Sequence, residues 1–194
     1  HPVVEVLIID DDRAAVVVSK ANSQVAEAKD DSCACVLWQS ECCTTSGGVD
    51  HFYVTLQSKP IADVRVNTYY AGGILVEPTE LLFTAQTWAQ PQVVTVVAVD
   101  DDVAESVEFA SIWHNSTSLD PNYMISAERI QRVNVTVISD DVAGLLVSSS
   151  DLEIVEGVGG EGRYSLRLLS QPWSSLTANP SWIVNGGDPR LTTQ

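Results

Sequence analysis

Phe52-Tyr53-Val54-Thr55-Leu56-Gln57-Ser58-Lys59-Pro60 alternates apolar and polar residues and stops at a proline, and the same pattern returns as Tyr164-Ser165-Leu166-Arg167-Leu168-Leu169-Ser170-Gln171-Pro172. Period-two alternation is the mark of a strand with one buried face. The likeness extends upstream in the same order. Ala14-Ala15-Val16-Val17-Val18-Ser19 and Val25-Ala26-Glu27 precede the first copy, while Ala143-Gly144-Leu145-Leu146-Val147-Ser148 and Ile154-Val155-Glu156-Gly157 precede the second. Each copy also follows a valine-rich run that ends in acid: Val3 to Ile9 before Asp10-Asp11-Asp12, and Val133 to Ile138 before Ser139-Asp140-Asp141. Two separated blocks repeated in one order define an internal repeat. The expected division is the last strand of a preceding repeat at 1–12, one complete repeat at 13–141 with an insertion at 29–49, and the first part of a following repeat at 142–194. The chain opens on His1-Pro2-Val3 without a leader-like segment and closes on Thr192-Thr193-Gln194, so both ends read as cuts through a longer polypeptide.

Within the complete repeat, alternation runs through 51–57, 62–69, 92–99 and 133–138, with shorter candidates at 14–19, 80–84 and 107–114. Gly72-Gly73, Glu77-Pro78, Gln90-Pro91 and Asp120-Pro121 supply turn chemistry between them. With 45% hydrophobic residues, mostly Val, Ile, Leu and Ala, the chain can build a core. The expected class is all-β: tandem seven-stranded antiparallel sandwiches of immunoglobulin-like character.

Four pieces in order carry a resemblance: Tyr53 to Pro60, Leu82 to Val96, Asp100-Asp101-Asp102 with Glu105, and Asp120-Pro121-Asn122-Tyr123. Together they resemble Calx-β repeats of large extracellular proteins, across nearly all of 13–141 and about half of the next repeat. That resemblance implies a sandwich with Ca2+ held at one end by carboxylates from three places. Matched by position, these are Glu27, then Asp100, Asp101, Asp102 and Glu105, then Asp140 and Asp141. The terminal acidic run is shorter here than in the calcium-sensing members, and the cysteine-bearing insertion after Glu27 is an addition. Asp10 to Asp12 would serve the preceding repeat's site and Glu156 the following one's.

The residues alone argue toward the same chemistry. Acidic groups number 26 against 10 basic, a formal charge of −16, which disfavours nucleic acid and anionic membranes as partners. Ca2+ takes six to eight oxygen ligands and accepts mixed carboxylates and carbonyls. Adjacent Asp residues in a strand point to opposite faces, but at a strand end the turning chain can aim them at one point. Solvated turn residues are the plainer alternative. Cys33, Cys35, Cys42 and Cys43 all fall in the insertion; disulfides are expected, with connectivity open, ahead of a zinc site for which the spacing is poor. Asn115-Ser116-Thr117 and Asn134-Val135-Thr136 are N-glycosylation sequons, and with the cysteines they favour an extracellular or cell-surface setting.

No nucleophile elbow, zinc-protease or phosphate-loop motif is present, and no enzyme is expected. No stretch approaches the roughly 20 apolar residues that span a bilayer. The expected role is a structural or adhesive module of a long surface protein, such as a matrix component, adhesin or flagellar hair. Its partners would be neighbouring repeats, other copies or other surface proteins. A carbohydrate-binding module of a secreted enzyme or lectin is the alternative, and an intracellular calcium sensor a third.

Overall fold

The computed structural model describes residues 12–27, 48–150, 152 and 162–179. The four cysteines, Asp10, Asp11 and Glu156 lie outside these residues. Strands β1 (Val16–Val18), β2 (Asn22–Ala26), β3 (Val49–Leu56), β4 (Val64–Ala71), β5 (Ile74–Glu77), β6 (Glu80–Phe83), β7 (Gln92–Ala98), β8 (Glu108–Ser118) and β9 (Val133–Ile138) form two facing sheets. Their orders are β1-β3-β7-β5 and β2-β9-β8-β4-β6. Alternate side chains of each strand point between the sheets and fill one core, with Phe52, Val54, Val64, Val66, Phe83, Val94, Val96, Ile112 and Val133 fully buried. Trp88 packs against that core from its margin and offers its carbonyl to the Leu56 N–H at 3.2 Å.

Sheets of four and five strands contain nine segments, yet the expected count of seven describes the chain's path. One edge strand is divided between sheets as β1 and β2, the other as β5 and β6. The second switch falls at the cis Glu77–Pro78 bond, where proline supplies no N–H to a ladder. Each division places one half-strand at the margin of each sheet, so both edges of the sandwich are short and bent. Every pair in the sandwich is antiparallel except β2 with β9, which run parallel with Asn22 opposite Asn134 and Ala26 opposite Ile138.

The Asp120-Pro121-Asn122-Tyr123 motif fastens the end of the sandwich where β8 finishes. Buried Asp120 accepts from the Ile61 and Asn122 N–H groups, each at 3.0 Å. The Tyr123 hydroxyl accepts from the Ser58 N–H at 3.1 Å and donates to the Ser58 carbonyl at 2.5 Å. The β3–β4 loop, which crosses between the sheets, is thereby joined to the β8–β9 loop through the buried side chains of Asp120 and Tyr123, both of which have partners.

Beyond Asp141 the chain forms a hairpin of β10 (Leu145–Val147) and β11 (Leu166–Leu168). Leu145 faces Leu168 and Val147 faces Leu166, as Val16 faces Leu56 and Val18 faces Val54. The supporting bonds match too. Ser19 N–H to the Tyr53 carbonyl corresponds to Ser148 N–H to the Ser165 carbonyl, and Gln57 N–H to the Ala15 carbonyl corresponds to Leu169 N–H to the Gly144 carbonyl. Even the Tyr53 N–H to Ser19 Oγ bond has its counterpart in Ser165 N–H to Ser148 Oγ, both 2.8 Å.

Candidate metal centre

Glu27 follows β2 directly, and its N–H donates to the Ile138 carbonyl at 2.9 Å, continuing the parallel ladder by one step. That step sets Glu27 beside the residues that follow β9. One carboxylate oxygen each from Glu27, Asp140 and Asp141 lie within 4.8 Å of one another. Asp140 and Asp141 are half-buried; Glu27 is only 6% exposed. Its Oε2 is buried without a hydrogen-bond partner. A buried carboxylate oxygen left in that condition costs free energy unless a cation or a proton compensates it.

Electrostatics follow from the placement. Burial pushes the Glu27 carboxyl above its ordinary value, and the neighbouring charges of Asp101, Asp100 and Asp140 push the same way. A hydrogen bond with Ser139 opposes them. Ser139 also places its Oγ to accept the Asp141 N–H at 3.2 Å, so one serine orients two members of the cluster. The donor set is all oxygen, suiting a hard cation such as Ca2+ rather than a thiolate-loving metal.

The other acidic candidates fall on the loop between β7 and β8. Asp100 and Asp101 are close enough to act on Glu27. The Asp101 Oδ1 also accepts the Val103 N–H at 2.7 Å, fixing the loop's turn. Asp102 contributes its carbonyl, which accepts the Gln171 N–H at 2.6 Å, and its side chain is outside the three-carboxylate group, as is that of Glu105. Sequence reading passed over Ser139 because a hydroxyl beside two aspartates looks like turn chemistry. It also passed over Glu108, whose Oε1 accepts the Gly73 N–H at 3.0 Å at the same end of the sandwich.

The fold is an immunoglobulin-like β-sandwich. No family model and no curated protein matches the chain. Among solved structures it is similar to the periplasmic chaperone SfaE, with 5% identity, TM-score 0.44, and coverage of 66% of this chain and 58% of that one. CBD12 from CALX1.2 aligns at 18% identity and TM-score 0.41 over 74% of this chain and 52% of that one. The apo-form Calx CBD1 domain aligns at 16% identity and TM-score 0.37 over 65% and 98%. The chain spans less than two thirds of the length of the chaperone it matches, and these likenesses concern the sandwich alone. Among the described residues no helix is long and apolar enough to cross a membrane.

Proposed function

We propose that this chain is a non-catalytic structural or adhesive module of an extracellular repeat protein, stiffened by Ca2+ at the end of the sandwich. Glu27, Asp140 and Asp141 would hold the ion, with Asp100 and Asp101 alongside. The observation that carries this reading is the buried, unpartnered Oε2 of Glu27 facing two further carboxylates. The position supports it as well. Asp141 is followed at once by the segment leading to β10, so a cation there would tie β2, β9 and the β7–β8 loop at the point where the chain leaves the sandwich. The hairpin that repeats the β1–β3 register is what a second sandwich would begin with. Its partners would then be neighbouring repeats, other copies, or other surface proteins.

The test is a thermal melt of the whole oxidised chain in calcium and in chelator, with Glu27→Gln in parallel. A ligand bound only by the native state stabilises by about 2.7 kcal/mol at a hundredfold excess over Kd. The natural chain should melt higher in calcium. Glu27→Gln should melt no lower than the natural chain in chelator, since it removes a buried charge, and should lose the calcium response. Identical melts of the natural chain with and without calcium would reduce the cluster to solvated strand ends.

A further inference from the structure

Both sequons fall on one surface, the outer face of the five-stranded sheet. Their surroundings differ. Asn134 is exposed on β9 opposite Ser111. Asn115 sits on β8, two residues from Trp113 and therefore on the same face. Directly across on β4, Tyr69 pairs with Trp113 in the register, their rings nearly parallel at 17° with centroids 6.2 Å apart. The Arg132 guanidinium lies over the indole at 5.8 Å. Asn67 donates from Nδ2 to the Asn115 Oδ1 at 2.9 Å, which turns the Asn115 Nδ2 toward the Tyr69 hydroxyl at 3.5 Å. Thr117, the third residue of the sequon, is exposed on that face, whereas the Ser116 hydroxyl points inward and donates to the Tyr123 carbonyl.

From this arrangement we infer that Asn115 is an N-glycosylation site whose first sugar packs against the Tyr69–Trp113 pair and stabilises the sandwich. The Asn115 amide nitrogen displaces a lipid-linked pyrophosphate from C1 of an oligosaccharide donor. A C1–N bond forms, the C1–O bond breaks, and the amide proton leaves. The amide already points at Tyr69, which is 43% exposed, so a ring attached there arises beside an aromatic surface. The C–H face of a pyranose carries partial positive charge that suits the negative face of an aromatic ring. Asn134 lies opposite Ser111, with Phe109 and Trp113 diagonal to it on β8, and any sugar there is common to the proteins compared and cancels.

The inference rests on the extracellular reading only for how the natural chain would meet the donor. The test therefore supplies an added leader, so that occupancy reports the local structure whatever the native location. The full chain is secreted from eukaryotic cells, peptide mass mapping locates the glycans, and an endoglycosidase trims them to the first sugar. Thr117→Ala, at an exposed position, abolishes attachment while leaving Asn115 and the rings in place. Asn115 should be occupied, and the trimmed protein should melt about 2–4 °C above Thr117→Ala, the size expected of one modest new contact in a domain of this length. The same comparison made in a Tyr69→Thr, Trp113→Thr background should show no difference. An unmodified Asn115 overturns the inference, as does a melting difference that is absent in the natural background or persists without the two rings.

Discussion

Replacing His114 with leucine and its partner Thr68 with valine removes a buried polar pair and, with it, a source of pH dependence. His114 is fully buried on β8, edge-on to Phe52 with ring centroids 5.6 Å apart. Its Nδ1 lies 3.1 Å from the Thr68 hydroxyl, and its Nε2 has no partner. Burial lowers its pKa from 6.5 to about 4. The folded protein therefore keeps the ring neutral while the unfolded chain protonates it below 6.5. Stability from this residue is complete above that pH and is lost as pH falls toward 4. The full difference amounts to about 3.4 kcal/mol, of which about 2 kcal/mol is gone by pH 5. Between pH 7 and 5 most carboxylates stay charged, and the raised Glu27 carboxyl acts in the opposite direction in both proteins, cancelling in the comparison. Urea unfolding of the natural chain and the double variant at the two pH values measures this, with slopes checked for constancy. The natural chain should lose about 2 kcal/mol more than the variant. Equal losses would refute a neutral, desolvated His114.

Gly72→Ala should lower stability by about 1–3 kcal/mol, because φ is +101° there and an added Cβ would lie 2.6 Å from the Ala110 Cβ; an unchanged denaturation midpoint would contradict it. Asp120→Ala should cost about 2–4 kcal/mol by orphaning the Ile61 and Asn122 N–H groups, with faster amide exchange at those two positions as the local readout. Asp50, although desolvation opposes it, is held below its ordinary value of 3.8 by hydrogen bonds from Lys20, Ser23 and the His51 N–H. Its contribution is present above 3.8 and lost as pH falls through the lowered value. Lys20→Met should shift the Asp50 carboxyl upward by NMR titration while changing stability by less than about 1 kcal/mol, since the pair is partly open to solvent.

How far the fold could be read in advance depended on what each strand buries. The expected strand at 133–138 is β9 as formed, because it alternates valine with polar residues, and 92–99 differs from β7 by one residue, because β7 is a valine-rich run paired on both sides. The strands that escaped were β2 and β5. Asn22-Ser23-Gln24-Val25-Ala26 buries only Ser23 and Val25, so its inward face carries a serine and no hydrophobic period shows. Ile74 to Glu77 is four residues long, squeezed between a glycine turn and a proline. Both are half-strands at sheet edges, whose pairing is settled by the neighbour they reach rather than by their own composition. The outward aromatic pair of Tyr69 and Trp113 was equally hidden, since only the β4–β8 register brings them opposite each other.

The same limit explains the acidic site. The Calx-β resemblance matched Glu27, Asp140 and Asp141 one by one by position, but what joins them is the parallel pairing of β2 with β9. With Val25 opposite Val137 and Ala26 opposite Ile138, the next step puts Glu27 level with Ser139 and the two aspartates that follow. Had β1 continued straight along β3 instead of crossing to the other sheet, Glu27 would end in the other layer. The crossing is pinned where it happens: Lys20 reaches Asp50 of β3 at 2.6 Å from the bend, and Ser23 of β2 reaches the same carboxylate at 2.5 Å. A part-buried ion pair of small energetic worth thus sits where the chain crosses between sheets, one strand's length from the meeting of the three carboxylates. Lys20→Met combined with Ser23→Ala, read by the calcium-dependent shift in melting temperature, should weaken cation binding without altering any acidic residue. An unchanged calcium response would show that the burial of Val25 between the sheets is enough to hold β2 in register with β9.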